Sequence, residues 1–286
     1  MGHGAAKNIL ARGGYPLTVL AHKNRAPVDD LVQRGATEAA TAAELGRQSD
    51  IVFLCLPSSA VVEATIHGTE GLASGLEKGA MVIDTTTADP MVTRRIGADL
   101  AERGIALMDA ALGRTPKEAE AGTLSTYVGG EAADLARVRP VMECYADTII
   151  HCGPLGAGTT CKLVNNSITV GMAALIAEGF VTAAKVGVDL DALCSVLSAG
   201  GADGRMWQMM APWIREGDDS FLKGPIRGAA KDLRAYGLMA QSAGSAVFIA
   251  QAVNQTLSLA INQGQADAFL PRLPGILATL NGTRIR

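Results

Sequence analysis

The first half of the chain alternates short, continuously apolar runs with helical segments. Six runs are typical of strands, beginning at residues 17, 50, 79, 104, 125 and 148: LTVLAH, DIVFLCLP, GAMVIDTTT, GIALMDAAL, STYVGG and TIIHCG. Continuous apolarity indicates strands that are covered on both faces, as in a parallel sheet. Segments such as VDDLVQRGA between them are typical of helices. The alternation therefore predicts a doubly wound α/β domain up to about residue 152.

From about residue 158 onward, the pattern is helical throughout, with no convincing strand. At 286 residues, the chain is long enough for two domains. No repeat or low-complexity linker separates the two halves, which favours a boundary inside a helix that both domains share. We therefore expect an α/β domain over residues 1–153 and an all-helical domain over residues 154–286.

The composition argues against several classes of partner. Hydrophobic residues make up 48% of the chain and charged residues 19%, as in a soluble globular protein. The net charge is −3 and no segment is strongly basic, so we expect neither nucleic acid nor an anionic membrane surface as partner.

Cysteine usage and apolar segments bear on the cellular compartment. The five cysteines form no CxxC pair, so we expect reduced, buried thiols, with no metal site and no disulfide framework. The first residues do not look like a signal peptide. The apolar run after residue 166 looks too short and too polar to cross a bilayer. A cytoplasmic protein is expected.

The chain begins on a helix, MGHGAAKNIL, with LTVLAH following it. A sheet of this kind normally starts with a strand and a G-x-G-x-x-G turn, whose amides bind a dinucleotide pyrophosphate at the start of a helix. Gly2 could be the last glycine of such a turn, and a plain terminal helix is the alternative interpretation.

Polar residues follow three of the predicted strands. In a doubly wound sheet, ligands bind beyond the carboxyl ends of the strands. The segments at such ends are Leu56-Pro57, Thr85-Thr86-Thr87 and Gly113-Arg114-Thr115. Each could be an ordinary turn, but three of them on one edge favour a ligand site.

The stretch GPLGAGTTCKLVNN, residues 153–166, places three polar side chains at the start of an otherwise apolar helix. Lys162, Asn165 and Asn166 share a helix face because residues three and four apart are neighbours. We expect Cys161, Val164 and Ile168 to face the core instead. A partly buried lysine near a helix N-terminus is more easily deprotonated and suits general acid/base chemistry. An exposed, solvated first turn is the alternative.

Taken together, these segments resemble the β-hydroxyacid dehydrogenase family. The similarity covers nearly the whole chain, in matching order: CLP at 55–57, DTTTADP at 84–90, MDAALGRTPKEAEAGTL at 108–124, VGG at 128–130, GPLGAGTTCKLVNN at 153–166 and AAKDL at 229–233. The resemblance implies a Rossmann-like NAD(P)-binding domain and an all-helical domain for substrate binding and oligomerisation, joined by a long helix. It also implies a homodimer or homotetramer that buries C-terminal helices between subunits.

The resemblance implies roles for individual residues. Lys162 matches the catalytic lysine, which takes the hydroxyl proton as hydride leaves, or protonates the carbonyl in reduction. Asn165 and Asn166 match the asparagines that hold the substrate beside it. Lys231 matches a lysine near the cofactor, and a solvated helix charge is an equal alternative. The residues matched to the nicotinamide-ribose side of the cofactor are Leu56, Pro57 and Thr87.

Two departures from the family pattern stand out. Only Met1 and Gly2 match the end of the fingerprint G-x-G-x-M-G. We expect that the first strand and two glycines are missing from this sequence, and a protein that truly lacks them is the alternative. Gly113-Arg114-Thr115 stands where most relatives have Ser-Gly-Gly. Arg114 offers a charged fork suited to a carboxylate, sulfonate or phosphonate of the substrate. An ion pair between Arg114 and Glu118 or Glu120 is the structural alternative.

Cofactor choice depends on the end of the strand LTVLAH, where an acid accepts the ribose of NAD and basic residues accept the 2′-phosphate of NADP. Ala21 occupies the acid position, and no carboxylate follows until Asp29. The predicted cofactor-binding residues of this loop are His22, Lys23, Asn24 and Arg25. NADP is therefore expected as the preferred cofactor, with NAD possible.

The sequence thus predicts an oxidoreductase that transfers hydride between a nicotinamide cofactor and a small anionic β-hydroxy acid or its semialdehyde. An imine reductase of the same architecture is one alternative, against which Lys162 and the two asparagines argue. A cofactor-binding regulatory protein without catalysis is another.

Overall fold

The computed structural model of the chain describes residues 1–285. Its contacts divide the chain into two compact units, Met1–Lys162 and the residues from Leu163 onward, and the boundary lies inside one long helix. Each unit has its own hydrophobic core.

The first unit alternates helices and strands. In chain order they are α1 (Gly2–Gly13), β1 (Thr18–Leu20), α2 (Ala26–Gln33), β2 (Thr37–Ala39), α3 (Ala42–Arg47), β3 (Ile51–Leu54), α4 (Ser59–His67), α5 (Leu72–Gly75), β4 (Met81–Asp84), α6 (Pro90–Ala101), β5 (Ala106–Gly113), α7 (Pro116–Ala121), β6 (Leu124–Gly129), α8 (Ala132–Met142) and β7 (Ala146–Gly153). All six predicted strands are confirmed. The short strand β2 was missed because its sequence, TEA, carries no apolar run.

The strands form two separate sheets. β1 pairs with β2 in parallel, and the five-stranded sheet has the order β3-β4-β5-β6-β7. β5 and β6 run antiparallel, so the prediction of a fully parallel sheet is wrong at this pair. The physical reason is the connection: a parallel crossover needs a dozen or more residues, and only residues 114–123 link these strands.

Within residues 1–285, no strand joins β1 to β3. In the doubly wound strand order 3-2-1-4-5-6, strand 1 lies between strand 2 and strand 4. β1 of this chain takes the place of strand 2, and β3 takes the place of strand 4. The fold is therefore the Rossmann-like arrangement with its sheet in two parts.

Both faces of the five-stranded sheet are covered, which explains the continuous apolarity of its strands. On β4, Met81 and Ile83 pack into one core cluster, with residues of α1, α7 and α8. Val82, whose side chain points the opposite way, packs into another cluster with residues of α4, α5 and α6.

The second unit is helical, as predicted. It contains most of α9 (Ala157–Lys185), then α10 (Leu190–Ala199), α11 (Arg205–Glu216), α12 (Ile226–Ser242), α13 (Ile249–Asn262), a 3₁₀ turn (Leu270–Arg272) and α14 (Leu273–Leu280). Its main core contains side chains from α9, α11, α12, α13 and α14. The β pairing described in residues 163–285 is limited to a single bridge between Pro225 and Phe269.

Helix α9 differs from expectation in two ways. It has 29 residues and is long and apolar enough to cross a membrane by length and composition, so the prediction that this segment is too short and too polar to do so is wrong. The same length and composition also suit the core helix of a soluble domain. The expected core residues Cys161, Val164 and Ile168 are exposed, whereas Leu163 is fully buried. The prediction placed the packed face on the wrong side of the helix.

Candidate active site

Threonine side chains connect the carboxyl ends of β3 and β4. The Thr85 hydroxyl donates a hydrogen bond to the carbonyl of Leu54 (2.6 Å), and the amide of Leu56 donates to the Thr86 hydroxyl (3.0 Å). Leu56 is half-buried and Pro57 is exposed at this edge, and Thr87 is half-buried. The first two polar segments predicted from the sequence therefore do lie together, and part of their polarity serves to join the strands.

The start of α1 reaches the same edge of the sheet. A Cβ atom on Gly2 would lie 3.0 Å from the Cβ of Cys55, the residue between β3 and Leu56. Met1 packs against the core cluster beneath the sheet. The N-terminal amides of a twelve-residue helix, which lack intrahelical acceptors, thus stand beside the end of β3. This arrangement suits an anionic group of a cofactor.

The loop between β1 and α2 presents the predicted basic residues to solvent. His22, Lys23, Asn24 and Arg25 are all exposed. The Arg25 guanidinium donates to both carboxylate oxygens of Glu38 on β2 (2.9 and 2.8 Å) and to Asp29 (3.1 Å). These bonds raise the pKa of Arg25, and the bond from Arg25 lowers the pKa of Glu38. Glu38, which was not predicted from the sequence, partly neutralises the positive charge of the loop.

The segment after β5 is engaged mainly with the protein itself. The Arg114 guanidinium donates to Asp147 (2.7 Å), to the Thr148 hydroxyl (3.2 Å) and to the carbonyl of Thr123. Arg114 therefore does make an ion pair, although with Asp147 rather than with Glu118 or Glu120. Its bond to Asp147 raises the pKa of Arg114 and lowers that of Asp147.

The neighbours of Arg114 also make contacts within the protein. Thr115 is the N-cap of α7, and it forms a capping box with Glu118, whose carboxylate accepts from the Thr115 amide (3.0 Å). Gly113 is buried, and a Cβ atom there would lie 2.4 Å from the Ser125 hydroxyl, so a larger residue at this position would require the Ser125 side chain to move. Substrate binding by Gly113, Arg114 and Thr115 stays a prediction.

A buried carboxylate holds the start of α9. Asp109 on β5 is 0% exposed, and its two oxygens accept hydrogen bonds from the amides of Gly156 (2.6 Å) and Thr159 (2.5 Å). Burial raises the pKa of Asp109. Its partner across the strands, Asp84, is also buried, and burial raises the pKa of Asp84 to about 6. Asp109 thereby fixes the first turn of the helix that carries Lys162.

The glycines before Lys162 serve packing in this structure. A Cβ atom on Gly158 would lie 2.2 Å from the carbonyl oxygen of Tyr127 on β6, so glycine lets α9 approach the sheet closely. Gly156 has a φ of 88°, which side chains rarely adopt.

Lys162, Asn165 and Asn166 share a face of α9, as their spacing predicts. Lys162 and Asn166 are half-buried and Asn165 is exposed. The Asn165 amide group donates to Asn166 Oδ1 (3.2 Å), and Asn166 Nδ2 donates to a carboxylate oxygen of Asp232 on α12 (2.6 Å).

The neighbour of Asp232, Lys231, was the predicted cofactor lysine. Its Nζ lies 3.1 Å from Asp232 Oδ1, so the two residues form an ion pair. Asp232 lies in the segment AAKDL but was not predicted from the sequence as a site residue.

The cysteines are all free, but they are not uniformly buried. Cys144 and Cys194 are buried, whereas Cys55 and Cys161 are exposed, so the expectation of buried thiols is wrong for these two. Burial, reinforced by the neighbouring Cys161 thiol, raises the pKa of Cys152 to about 12. Among residues 1–285, no group of three or more His, Cys, Asp or Glu side chains is arranged to hold a metal ion.

The Rossmann-like unit with a helix start at its sheet edge, and the lysine-asparagine face on α9, define a nicotinamide-dependent oxidoreductase. Residues 1–153 match the sequence family described as the NAD binding domain of 6-phosphogluconate dehydrogenase. Residues 156–269 match the family described as NAD-binding of NADP-dependent 3-hydroxyisobutyrate dehydrogenase. The chain belongs to the β-hydroxyacid dehydrogenase family, and it is an NAD(P)-dependent enzyme.

Individual relatives agree with this assignment. The chain is 33% identical to 3-sulfolactaldehyde reductase of Escherichia coli over 202 residues, which cover 71% of this chain and 67% of that protein. It is 30% identical to the NAD-dependent L-serine dehydrogenase of Pseudomonas aeruginosa over 273 residues, 93% of this chain and 91% of the relative.

Solved structures show the same fold. The structure of Mycobacterium tuberculosis 3-hydroxyisobutyrate dehydrogenase with L-serine superimposes with a TM-score of 0.87 at 25% identity, covering 97% of this chain and 95% of that one. An imine reductase from Pseudomonas sp. superimposes with a TM-score of 0.60 at 20% identity over 97% of this chain and 96% of that one, a likeness of fold alone. The relatives favour the hydroxyacid dehydrogenase interpretation over an imine reductase or a non-catalytic regulator.

Proposed function

We propose that the enzyme interconverts a small anionic β-hydroxy acid and its semialdehyde, with NADP(H) as the preferred cofactor. The observation that carries this proposal is the side-chain face formed by Lys162, Asn165 and Asn166, on a helix whose first turn is fixed by Asp109. The named substrates of the relatives, sulfolactaldehyde, serine and 3-hydroxyisobutyrate, share a short carbon chain with an acidic group.

In the proposed reaction, Lys162 moves the proton. A nicotinamide cofactor bound to the first unit would supply the hydride acceptor for oxidation and the hydride donor for reduction. Lys162 Nζ takes the hydroxyl proton in oxidation and donates a proton to the carbonyl oxygen in reduction. Asn165 and Asn166 orient the hydroxyl-bearing part of the substrate. The backbone and side chains of residues 113–115 bind its anionic group.

The proposed cofactor residues lie mostly at the edge of the first unit. Met1 and Gly2 would lie near the pyrophosphate, because they stand at the start of α1. Lys23, with His22, Asn24 and Arg25, would bind a 2′-phosphate, although Glu38 competes for Arg25. The proposed contacts on the nicotinamide side are Leu56, Pro57, Thr87 and Lys231.

The test is a matrix of substrates and cofactors. Purified enzyme would be assayed with NADPH and NADH against sulfolactaldehyde and short semialdehydes, and with both oxidised cofactors against the matching β-hydroxy acids. We expect turnover of anionic substrates and a higher kcat/KM with NADPH. Turnover of cyclic imines but of no semialdehyde would contradict the substrate class, and a preference for NADH would contradict the cofactor assignment.

We also propose that the enzyme is located in the cytoplasm and that it is a homodimer or homotetramer. Its subunit interface would cover an exposed apolar stripe on α9. Val164, Ile168, Met172 and Leu175 follow helical spacing and are 39–66% exposed. Such a stripe on a soluble domain indicates an interface. Leu175→Glu should reduce the mass measured by light scattering, whereas Val196→Glu, at an equally exposed position on α10, should not. An unchanged mass for Leu175→Glu would contradict this interface.

A further inference from the structure

The hydrogen bond between Asn166 and Asp232 fixes the orientation of an amide at the proposed active site. Asn166 Nδ2 lies 2.6 Å from Asp232 Oδ2, the short distance typical of a charge-assisted bond. An ionised carboxylate only accepts hydrogen bonds. The NH₂ group of Asn166 must therefore face Asp232, and its carbonyl oxygen must face away from Asp232.

This orientation determines what Asn166 can offer to a substrate. With Nδ2 directed at Asp232, the oxygen Oδ1 becomes an acceptor on the side where Asn165 Nδ2 donates to it, at 3.2 Å. A rotated amide would present its donors there instead. Recognition of a substrate hydroxyl by Asn166 therefore depends on which way its amide points.

Asp232 is itself held in place. Its side chain is 14% exposed, and a carboxylate at such a position is costly unless it is paired. Lys231 supplies the pairing charge at 3.1 Å from Oδ1, although that oxygen accepts no hydrogen bond. Asn166 is the hydrogen-bond donor that satisfies the other oxygen. The carboxylate and the asparagine thus fix each other.

We propose that Asp232 is a positioning residue that acts on the reaction through Asn166, by locking its amide in one orientation. This inference rests on the proposed function, in which Asn166 binds substrate. If Asp232 served only to join α9 to α12, its replacement would lower the stability of the protein and leave the kinetics of the folded enzyme unchanged.

The first experiment is a double-mutant cycle on kcat/KM. Asp232→Asn keeps the size of the side chain but can donate as well as accept, so it no longer dictates the orientation of Asn166. We expect a loss of roughly ten- to a hundredfold, the worth of a hydrogen bond to a charged group. In the Asn166→Ala background, the same change should cost about twofold or less.

The matched control is Asp219→Asn. Asp219 belongs to the same unit, its side chain is 19% exposed, and it accepts a hydrogen bond from Arg272 at 2.5 Å. This variant should leave kcat/KM unchanged. An equal loss for Asp219→Asn, or an undiminished loss for Asp232→Asn without Asn166, would overturn the proposal.

The second experiment needs no turnover and so separates this inference from the proposed function. In protein labelled with ¹⁵N-asparagine, the side-chain NH₂ resonance of Asn166 is identified by its loss in Asn166→Ala. It should shift in Asp232→Asn and stay in place in Asp219→Asn. An unmoved resonance would overturn the positioning role. Absence of turnover in the wild-type enzyme, with the resonance shifted, would instead contradict the proposed function alone.

Discussion

Two segments of the first unit were predicted to meet the substrate, and the fold holds them in opposite ways. In the segment after β5, the side chains make contacts within the protein: Arg114 pairs with Asp147, and Thr115 caps α7. At the start of α9, the backbone makes such contacts: the amides of Gly156 and Thr159 donate to the carboxylate of Asp109.

The difference shows that a polar residue at a strand end has two possible uses. A side chain that stabilises its own loop leaves mainly the backbone for a ligand. A backbone that is held by hydrogen bonds from its own amides keeps its side chains in fixed positions and leaves them available to a ligand. Acid/base chemistry requires side chains that are positioned in this way. This contrast supports the proposal that α9 carries the acid/base chemistry and that residues 113–115 contribute only to substrate binding.

The largest effect is expected at Lys162. Lys162→Ala should lower kcat by roughly 10²–10⁴ while leaving folding and cofactor affinity nearly unchanged, because a positioned acid/base contributes about that factor. Lys185→Ala, at the other end of the same helix, removes a lysine that donates to the Asn281 carbonyl and should leave kcat unchanged. Stopped-flow and steady-state kinetics measure both. Near-normal turnover of Lys162→Ala would contradict the proposal that α9, rather than the segment after β5, carries the acid/base chemistry.

The anchor of α9 provides the next test. Asp109→Ala leaves two buried amides without acceptors, each costing about 1–3 kcal/mol, so we expect the free energy of unfolding to fall by about 2–6 kcal/mol. Asp89→Ala removes the N-cap of α6, which accepts from Met91, and should cost only about 0.5–2 kcal/mol. Urea denaturation measures both losses. Equal losses would mean that Asp109 is an ordinary cap.

At Arg114 the expected effect is smaller, because Asp147 competes for its charge. Arg114→Ala should raise KM about tenfold with little change in kcat, the pattern of binding shared by ground and transition states. Asp147→Asn should leave KM unchanged or lower it.

Arg114 also has a φ of 71°, a left-handed conformation that glycine adopts without strain. Arg114→Gly should therefore be about 1 kcal/mol more stable than Arg114→Ala. If both variants lose stability and keep the wild-type KM, Arg114 is purely an ion-pair partner.

The smallest effect is expected in the loop after β1, which resembles the segment after β5 because its arginine is also paired. Lys23→Ala should weaken NADPH binding about two- to fivefold, and Glu38→Gln should strengthen it by a similar factor by releasing Arg25. Isothermal titration with NADPH and NADH measures both variants. Equal changes for the two cofactors would show that the loop does not read the 2′-phosphate.

The sequence predicted the helices and strands better than the strand directions and the contacts between distant residues. Continuous apolarity located the strands of the five-stranded sheet, but it carries no direction, so the antiparallel β5–β6 pair was missed. The spacing of Lys162, Asn165 and Asn166 located a helix face correctly, because that face depends only on helix geometry.

The missed contacts join residues distant in the chain. Glu38 binds Arg25 across 13 residues, Asp147 binds Arg114 across 33, Asp109 binds the Gly156 amide across 47, and Asp232 binds Asn166 across 66. No local pattern of polar residues reveals which of them will meet. They are products of the tertiary fold, and they decide which candidate side chains are committed to the structure.

The shortness of β1 and β2 has a consequence for local opening. β1 and β2 have three residues each, whereas β4 and β5 lie inside the five-stranded sheet. Opening so short a pair breaks few hydrogen bonds, so its amides should exchange with solvent deuterium through small fluctuations, before those of β4 and β5. The same pair carries the loop at residues 22–25 and, on β2, Glu38. A nucleotide that binds this loop at a hundred times its Kd would raise the free energy of opening by up to about 2.7 kcal/mol. Slower deuterium uptake in β1 and β2 would then report occupancy of the cofactor site.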